Sequence, residues 1–99
     1  MEIKIHSIHF DADQKLIEFI EKKVGKLVQF YDNILGAEIF LRLDKDQSLE
    51  NKLVEIKLAI PKNDLFAKKQ SRTFEESTDN AVEALRRQLQ KTKEKQRGV

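Results

Sequence analysis

The sequence predicts an α+β domain of order β-α-β-β-β-α, a four-stranded sheet with two helices packed on one face. Four segments alternate apolar and polar side chains, and two others repeat their apolar residues at helical spacing. Six such segments in 99 residues, with no internal repeat and no linker, describe one sheet covered by one layer of helices. Residues 1–99 are therefore read as a single domain, with about 92–99 expected to fray as a basic tail.

The first strand sets Ile3, Ile5 and Ser7 against Glu2, Lys4 and His6. Asp11 and Asp13 offer side-chain oxygens to cap a helix start. Leu16, Ile20, Val24, Leu27 and Tyr31 then form an apolar stripe, widened by Phe19 and Val28, and the helix is expected from Gln14 to Gln29 or Phe30. Asp32, Asn33 and Gly36 mark its exit.

The second strand alternates Ala37, Ile39, Leu41 and Leu43 with Glu38, Phe40, Arg42 and Asp44. A polar loop, 45–51, leads to a third strand carrying Val54, Ile56, Leu58 and Ile60 on one side. Pro61-Lys62-Asn63-Asp64 has turn chemistry, since proline presets φ and Asn and Asp tolerate turn conformations. A short strand from Leu65 to Ser71 follows. Thr73 and Glu76 are spaced as a capping box, and Thr78, Ala81, Val82, Leu85 and Leu89 share one face of the last helix.

Composition excludes several functions. Without cysteine there is no disulfide framework, thiolate zinc site or cysteine nucleophile. The charged N-terminal run is unlike a secretory signal, and no stretch approaches the ~20 apolar residues that span a bilayer. A soluble cytoplasmic protein, away from membranes, is expected.

Nineteen basic and seventeen acidic residues give a net charge of only +2. The total conceals an asymmetry. Residues 1–67 carry ten basic and twelve acidic side chains, and residues 68–99 carry nine and five. Between 84 and 99 there are six cations and one acid, Glu94. Lys22, Lys23 and Lys26 add charge to the first helix, with Lys22 and Lys26 on one face. Helices on the same side of the sheet would join these cations into one surface of the kind that phosphate oxygens reward. A solvated helix face with a lysine-rich end is the plain alternative.

Catalytic and metal motifs are weak. Asp44, Asp46 and Glu50 imitate part of a calcium loop, with Glu55 at the twelfth position, yet Leu49 stands where glycine is needed. A small metal-dependent enzyme around those carboxylates is the third-ranked reading. His6 and His9, three apart on a strand, would face opposite ways. There is no glycine-rich phosphate loop and no serine in a nucleophile elbow. No cofactor, metal or enzymatic activity is expected. Phe40 and Phe66 fall on the sheet face away from the core, which supports a competing function, a protein–protein adaptor using that open face, or simple packing across strands.

Three segments resemble a known family. Met1 through Phe10, then Leu16-Ile17-Glu18-Phe19-Ile20-Glu21-Lys22-Lys23-Val24-Gly25-Lys26-Leu27 and Phe30-Tyr31-Asp32, are similar to a strand, loop and "YVEEKFAKLERHFD"-type helix. Three strands follow at matching spacing. Asp79-Asn80-Ala81-Val82-Glu83-Ala84-Leu85-Arg86-Arg87-Gln88-Leu89, with Lys91, Lys93, Glu94 and Lys95, resembles the ending "D-x-A-V-D-x-L-x-R-Q-L-x-K-x-K-E-K". Together these resemble the ribosome hibernation promoting factors, also called ribosome-associated inhibitor A or sigma-54 modulation proteins. The segment 71–78 departs from the family's "D-M-Y-A-A-I" pattern.

The resemblance implies a fold similar to a double-stranded-RNA-binding domain with an added strand. It implies binding to the small ribosomal subunit at the decoding region through 16S rRNA, blocking the mRNA and tRNA sites and inhibiting translation in stationary phase. The rRNA-binding residues it implies are Lys22, Lys23 and Lys26, then Lys68, Lys69 and Arg72, then Arg86, Arg87, Lys91 and Lys93. The chain resembles the family's short members, monomeric when free, for which a separate ribosome-dimerising factor would be a further partner.

Overall fold

A computed structural model describes residues 1–45 and 49–97. Strand β1 (Glu2–Ser7) leads into helix α1 (Gln14–Gly25), which tightens into a 3-10 turn over Lys26–Gln29. Strands β2 (Gly36–Leu43), β3 (Lys52–Ile60) and β4 (Asn63–Ser71) follow, and helix α2 (Phe74–Arg97) comes last. The sheet runs β1-β2-β3-β4, with β1 parallel to β2 and the remaining neighbours antiparallel. The fold class is the one the alternation predicts. Parallel neighbours require a crossover, which α1 supplies; an antiparallel meander then needs only loops.

Period-2 geometry puts Ile39 and Leu41 of β2, Val54, Ile56 and Leu58 of β3, and Leu65 and Ala67 of β4 on one side of the sheet. Leu16, Ile20, Val24 and Leu27 descend on them from α1 and the 3-10 turn, and Ala81, Leu85 and Leu89 from α2. All belong to one continuous core, so both helices cover the same sheet face and touch each other. Each fully buried Leu or Ile contributes about 1.5–3 kcal/mol.

Capping fixes where each helix begins. The Leu16 amide donates to Asp13 Oδ1 at 2.8 Å, so Asp13 caps α1. The Glu76 amide donates to Thr73 Oγ1 at 3.0 Å, the threonine arm of the expected box. Phe10 stacks on Phe74 with ring centroids 5.2 Å apart, which pins the loop before α1 to the start of α2.

Four local expectations need adjusting. The first helix stops being α-helical at Gly25, and the tighter 3-10 winding rotates Val28 out of the stripe to 38% exposure while Tyr31, beyond the turn, remains buried. The β3–β4 turn is only Pro61-Lys62, because Asn63 already pairs with Ile60, and the left-handed residue is Lys62 (φ 70°). β1 ends at Ser7, so His9 sits in a loop at φ 66°. Helix α2 continues through Arg97, over most of the stretch expected to fray. There Thr92 Oγ1 donates to Gln88 O (3.0 Å) and Gln96 Nε2 donates to Tyr31 Oη (3.1 Å). Gly36 sits at a close approach, since a Cβ there would lie 3.2 Å from the Glu2 carbonyl oxygen and the paired strand would have to give by a few tenths of an ångström.

A small polar cluster joins α2 to the sheet. Ser77 Oγ lies 2.6 Å from Lys52 O and 2.7 Å from Ser71 Oγ, which is itself 2.8 Å from Thr73 O. Next to it, the Thr78 hydroxyl is buried with no hydrogen-bond partner. An unpaired buried hydroxyl costs about 1–3 kcal/mol, and a valine fills the same shape without it. Thr78→Val is expected to raise stability by about 1 kcal/mol in urea denaturation. Ser77→Ala, which leaves the Lys52 carbonyl without its donor, is expected to lower it by about 1–3 kcal/mol. A destabilised Thr78→Val protein would mean that the hydroxyl has a partner in solution.

Candidate nucleic-acid interface

The covered sheet face places α1 and α2 side by side, and their charged residues meet along the seam. Lys23 Nζ lies 3.5 Å from Asp79 Oδ1 and 5.4 Å from the centroid of Phe19. Further along, the Arg86 guanidinium carbon lies 5.6 Å from the centroid of Phe30, and Lys93 Nζ is 3.5 Å from the Phe30 carbonyl oxygen. Seven residues along a helix bring Arg86 and Lys93 back to within about 20° of each other. Both therefore point toward the end of the 3-10 turn.

Arg86 is held in place by its own helix. Its Nε and Nη2 donate to the two oxygens of Glu83 at 3.0 and 2.6 Å, and Arg87 Nε approaches the same carboxylate at 3.5 Å. The hydrogen bond from Arg86 holds the Glu83 carboxyl below its ordinary value of 4.5, helped by the positive charges of Arg86 and Arg87. The same bond raises Arg86 above its ordinary value, so it stays charged throughout. Two of the guanidinium's donors are thereby occupied, which makes Arg86 a fixed planar cation.

The ten cations singled out from the sequence divide by position. Lys22 and Lys26 on the first helical segment, and Lys91 on α2, are exposed and have no ion-pair partner among the described residues. Lys93 is exposed beside Phe30, and Arg87 is exposed on the outer surface of α2. Lys23 and Arg86 stand in the seam as tethered charges. Lys69 and Arg72 are exposed at the β4–α2 corner. Lys68 does not join this surface. It pairs across from Glu55, and with Ala67 turned into the core it faces the open side of the sheet. Its neighbour in sequence, Lys69, is the one on the helix side.

The open face carries a shallow recess of about 260 Å³ lined by Glu2, Lys4, Leu35, Glu38, Lys57 and Ala59 among others, and its aromatic rings lie outside that lining. Phe40 stacks on His6 at 5.0 Å, with Arg42 6.0 Å from its centroid, and His6 Nε2 lies 2.9 Å from Glu38 Oε2. The ring is thus used in packing across strands, and Phe66, at 56% exposure, stands apart from it on the other edge strand. Of the carboxylates read as a possible calcium loop, Asp46 lies outside the described residues. Among the described residues no three His, Asp or Glu side chains converge as a metal site, and no helix is long and apolar enough to cross a membrane.

Two residues of this seam carry no signal that charge counting detects. Glu83 was legible only as the i, i+3 and i, i+4 partner of Arg86 and Arg87. Phe30 reads from sequence as a possible last residue of the first helix, outside the apolar stripe, and it is 43% exposed.

A family profile described as Sigma 54 modulation protein / S30EA ribosomal protein matches residues 3–97. The chain belongs to this family. The resemblance carried by the opening strand and helix and by the last helix is borne out. Two Pseudomonas putida members, each named ribosome hibernation promoting factor, are 27% identical over 99 residues, spanning all of this chain and 93% of theirs. Among solved structures, a ribosomal subunit interface protein from Coxiella burnetii superposes with a TM-score of 0.84 at 26% identity, covering 94% of this chain and 98% of that one. The N-terminal domain of Protein Y from Thermus thermophilus shares the fold, with a TM-score of 0.79 at 22% identity over 93% of this chain and 99% of that domain.

The Glu83 cluster makes a prediction about pH. Because the folded carboxyl is held below 4.5, its contribution is complete above that pH and is lost as pH falls through the lowered folded value. Glu83→Gln is expected to melt slightly below the parent protein at neutral pH, with the difference shrinking steadily below about pH 4.5. Thermal melts of both proteins from pH 3 to pH 7 check this, and a difference independent of pH would assign the effect to something other than ionisation.

Proposed function

We propose that this chain is a ribosome hibernation factor that occupies the decoding region of the small ribosomal subunit. It contacts 16S rRNA through the helix surface, blocks the mRNA and tRNA sites, and inhibits translation in stationary phase. The observation that carries this reading is the gathering of cations from two helices on one side of the sheet in a member of this family. Each exposed lysine that meets a phosphate releases condensed counterions, which drives binding without regard to base sequence. The double-stranded-RNA-like layering suits recognition by shape and backbone. Residues 1–99 act as one ribosome-binding domain, monomeric and cytoplasmic when free.

Inhibition on this reading is by occupancy, with no bond made or broken and no cofactor involved. Lys22, Lys26, Lys91 and Lys93, exposed and outside any ion pair among the described residues, are the leading phosphate contacts, with Arg87, Lys69 and Arg72 at the margins. Lys23 and Arg86 contribute field from within the seam.

Replacing Lys22, Lys26, Lys91 and Lys93 together by Glu tests the proposal. Affinity for purified small subunits is expected to fall by roughly two orders of magnitude or more, and the slope of log K against log salt to flatten by about 3. A control carrying Lys62→Glu and Lys68→Glu, away from the helix surface, is expected to co-sediment as the parent does. Binding of the quadruple variant at the parent's affinity would contradict the electrostatic mechanism.

A further inference from the structure

We infer that Phe30 is a stacking platform for an unpaired nucleobase of the bound RNA, with Arg86 as its fixed planar neighbour and Lys93 facing the adjoining phosphate. The inference rests on the reading of this chain as an rRNA-binding factor and assigns to it a contact that charge does not supply. Its starting point is an exposure that packing does not explain. Leu27 and Tyr31 of this turn are buried at 0% and 7%, whereas Phe30, following the exposed Val28 and Gln29, shows 43% of its surface at the mouth of the seam. The backbone there is fixed, since the amides of Phe30 and Tyr31 both donate to the Leu27 carbonyl, at 3.0 and 3.3 Å.

The surroundings of the ring are those of a nucleotide site. A cavity of about 150 Å³ is lined by Gln29, Phe30, Arg86, Gln90 and Lys93. A second, of about 180 Å³, shares Gln29, Phe30 and Lys93, so the ring lies between two recesses. The guanidinium of Arg86 sits 5.6 Å from the ring centroid and is clamped by Glu83, so the planar cation is preorganised. Lys93 Nζ lies 3.5 Å from the Phe30 carbonyl oxygen, which sets an ammonium beside the ring. Two amide side chains, Gln29 and Gln90, offer donors and acceptors to a base edge without selecting one base. Phe66, the other exposed aromatic ring, lacks this setting. Among the described residues no cation lies over its ring and it lines neither of these recesses. Aromatic stacking on bases tolerates any sequence, since every base has a π-face, and cations beside the ring reinforce it.

Stacking and counterion release separate cleanly in a salt titration. Phe30→Leu keeps an apolar side chain and should weaken binding to purified small subunits roughly 5- to 100-fold. It should leave the slope of log K against log salt unchanged, because no phosphate contact is lost. Phe30→Trp should restore affinity. As the sequence contains no other tryptophan, its emission also reports directly, and protein-free 16S rRNA should quench it. Unchanged melting temperatures confirm that both variants fold. Parent-like affinity of folded Phe30→Leu, or unquenched Phe30→Trp emission in the RNA complex, would overturn the inference and leave the phosphate-binding reading intact. Failure of the parent protein to bind small subunits would remove both.

Discussion

One apolar layer determines the arrangement of everything else in this protein. The sheet buries a single face, and that face is wide enough to need two helices. The parallel pairing of β1 with β2 commits α1 to a crossover on the face where α2 also lies, and Ile20, Val24, Leu85 and Leu89 meet the same strands. Two amphipathic helices sharing one floor must touch along their sides. The polar residues at that line of contact, Lys23, Asp79, Arg86 and Lys93, are therefore brought together by hydrophobic burial, which knows nothing of their charge. The cationic seam is a by-product of covering the sheet.

Charge is then distributed along α2 in the sense its dipole favours. Glu75, Glu76, Asp79 and Glu83 occupy the first half, and cations dominate from Arg86 onward. The acidic half serves folding, through the Lys23–Asp79 bridge and the Glu83 clamp on Arg86. The basic half runs on beyond the clamp, and its last turns are tied back to the 3-10 exit by Gln96 and Tyr31. A helix whose apolar stripe ends at Leu89 thus stays useful for two further turns.

Most of the architecture was legible because it rests on periodicity. Alternation placed the strands, and Asp13 and Thr73 announced their helices through short-range hydrogen bonds. The misread points are those where one local geometry wins over another without a compositional sign. Nothing marks Gly25 as the place where winding tightens, and the left-handed position fell on Lys62 although Asn63 is the more typical occupant. Of the site, the identity of the cations was readable but their grouping was not, because it depends on which faces the core consumes. Lys68 and Lys69 differ by one residue and stand on opposite sides of the sheet, as Ala67 in the core already implied. Phe30 escaped notice because it stands at a helix exit between a stripe residue and a polar neighbour, where the sequence does not say whether the ring turns inward or outward.

If the protein acts as proposed, the helix surface, and not the open sheet face, meets the ribosome. Amine-labelling of the free protein and of its complex with small ribosomal subunits, read lysine by lysine in a mass spectrometer, addresses this most directly. Lys22, Lys26, Lys91 and Lys93 are predicted to become protected in the complex, while Lys4, Lys57 and Lys68 keep the reactivity they have in the free protein. Protection of the second group with the first left reactive would show that the sheet face is the interface and would contradict the account.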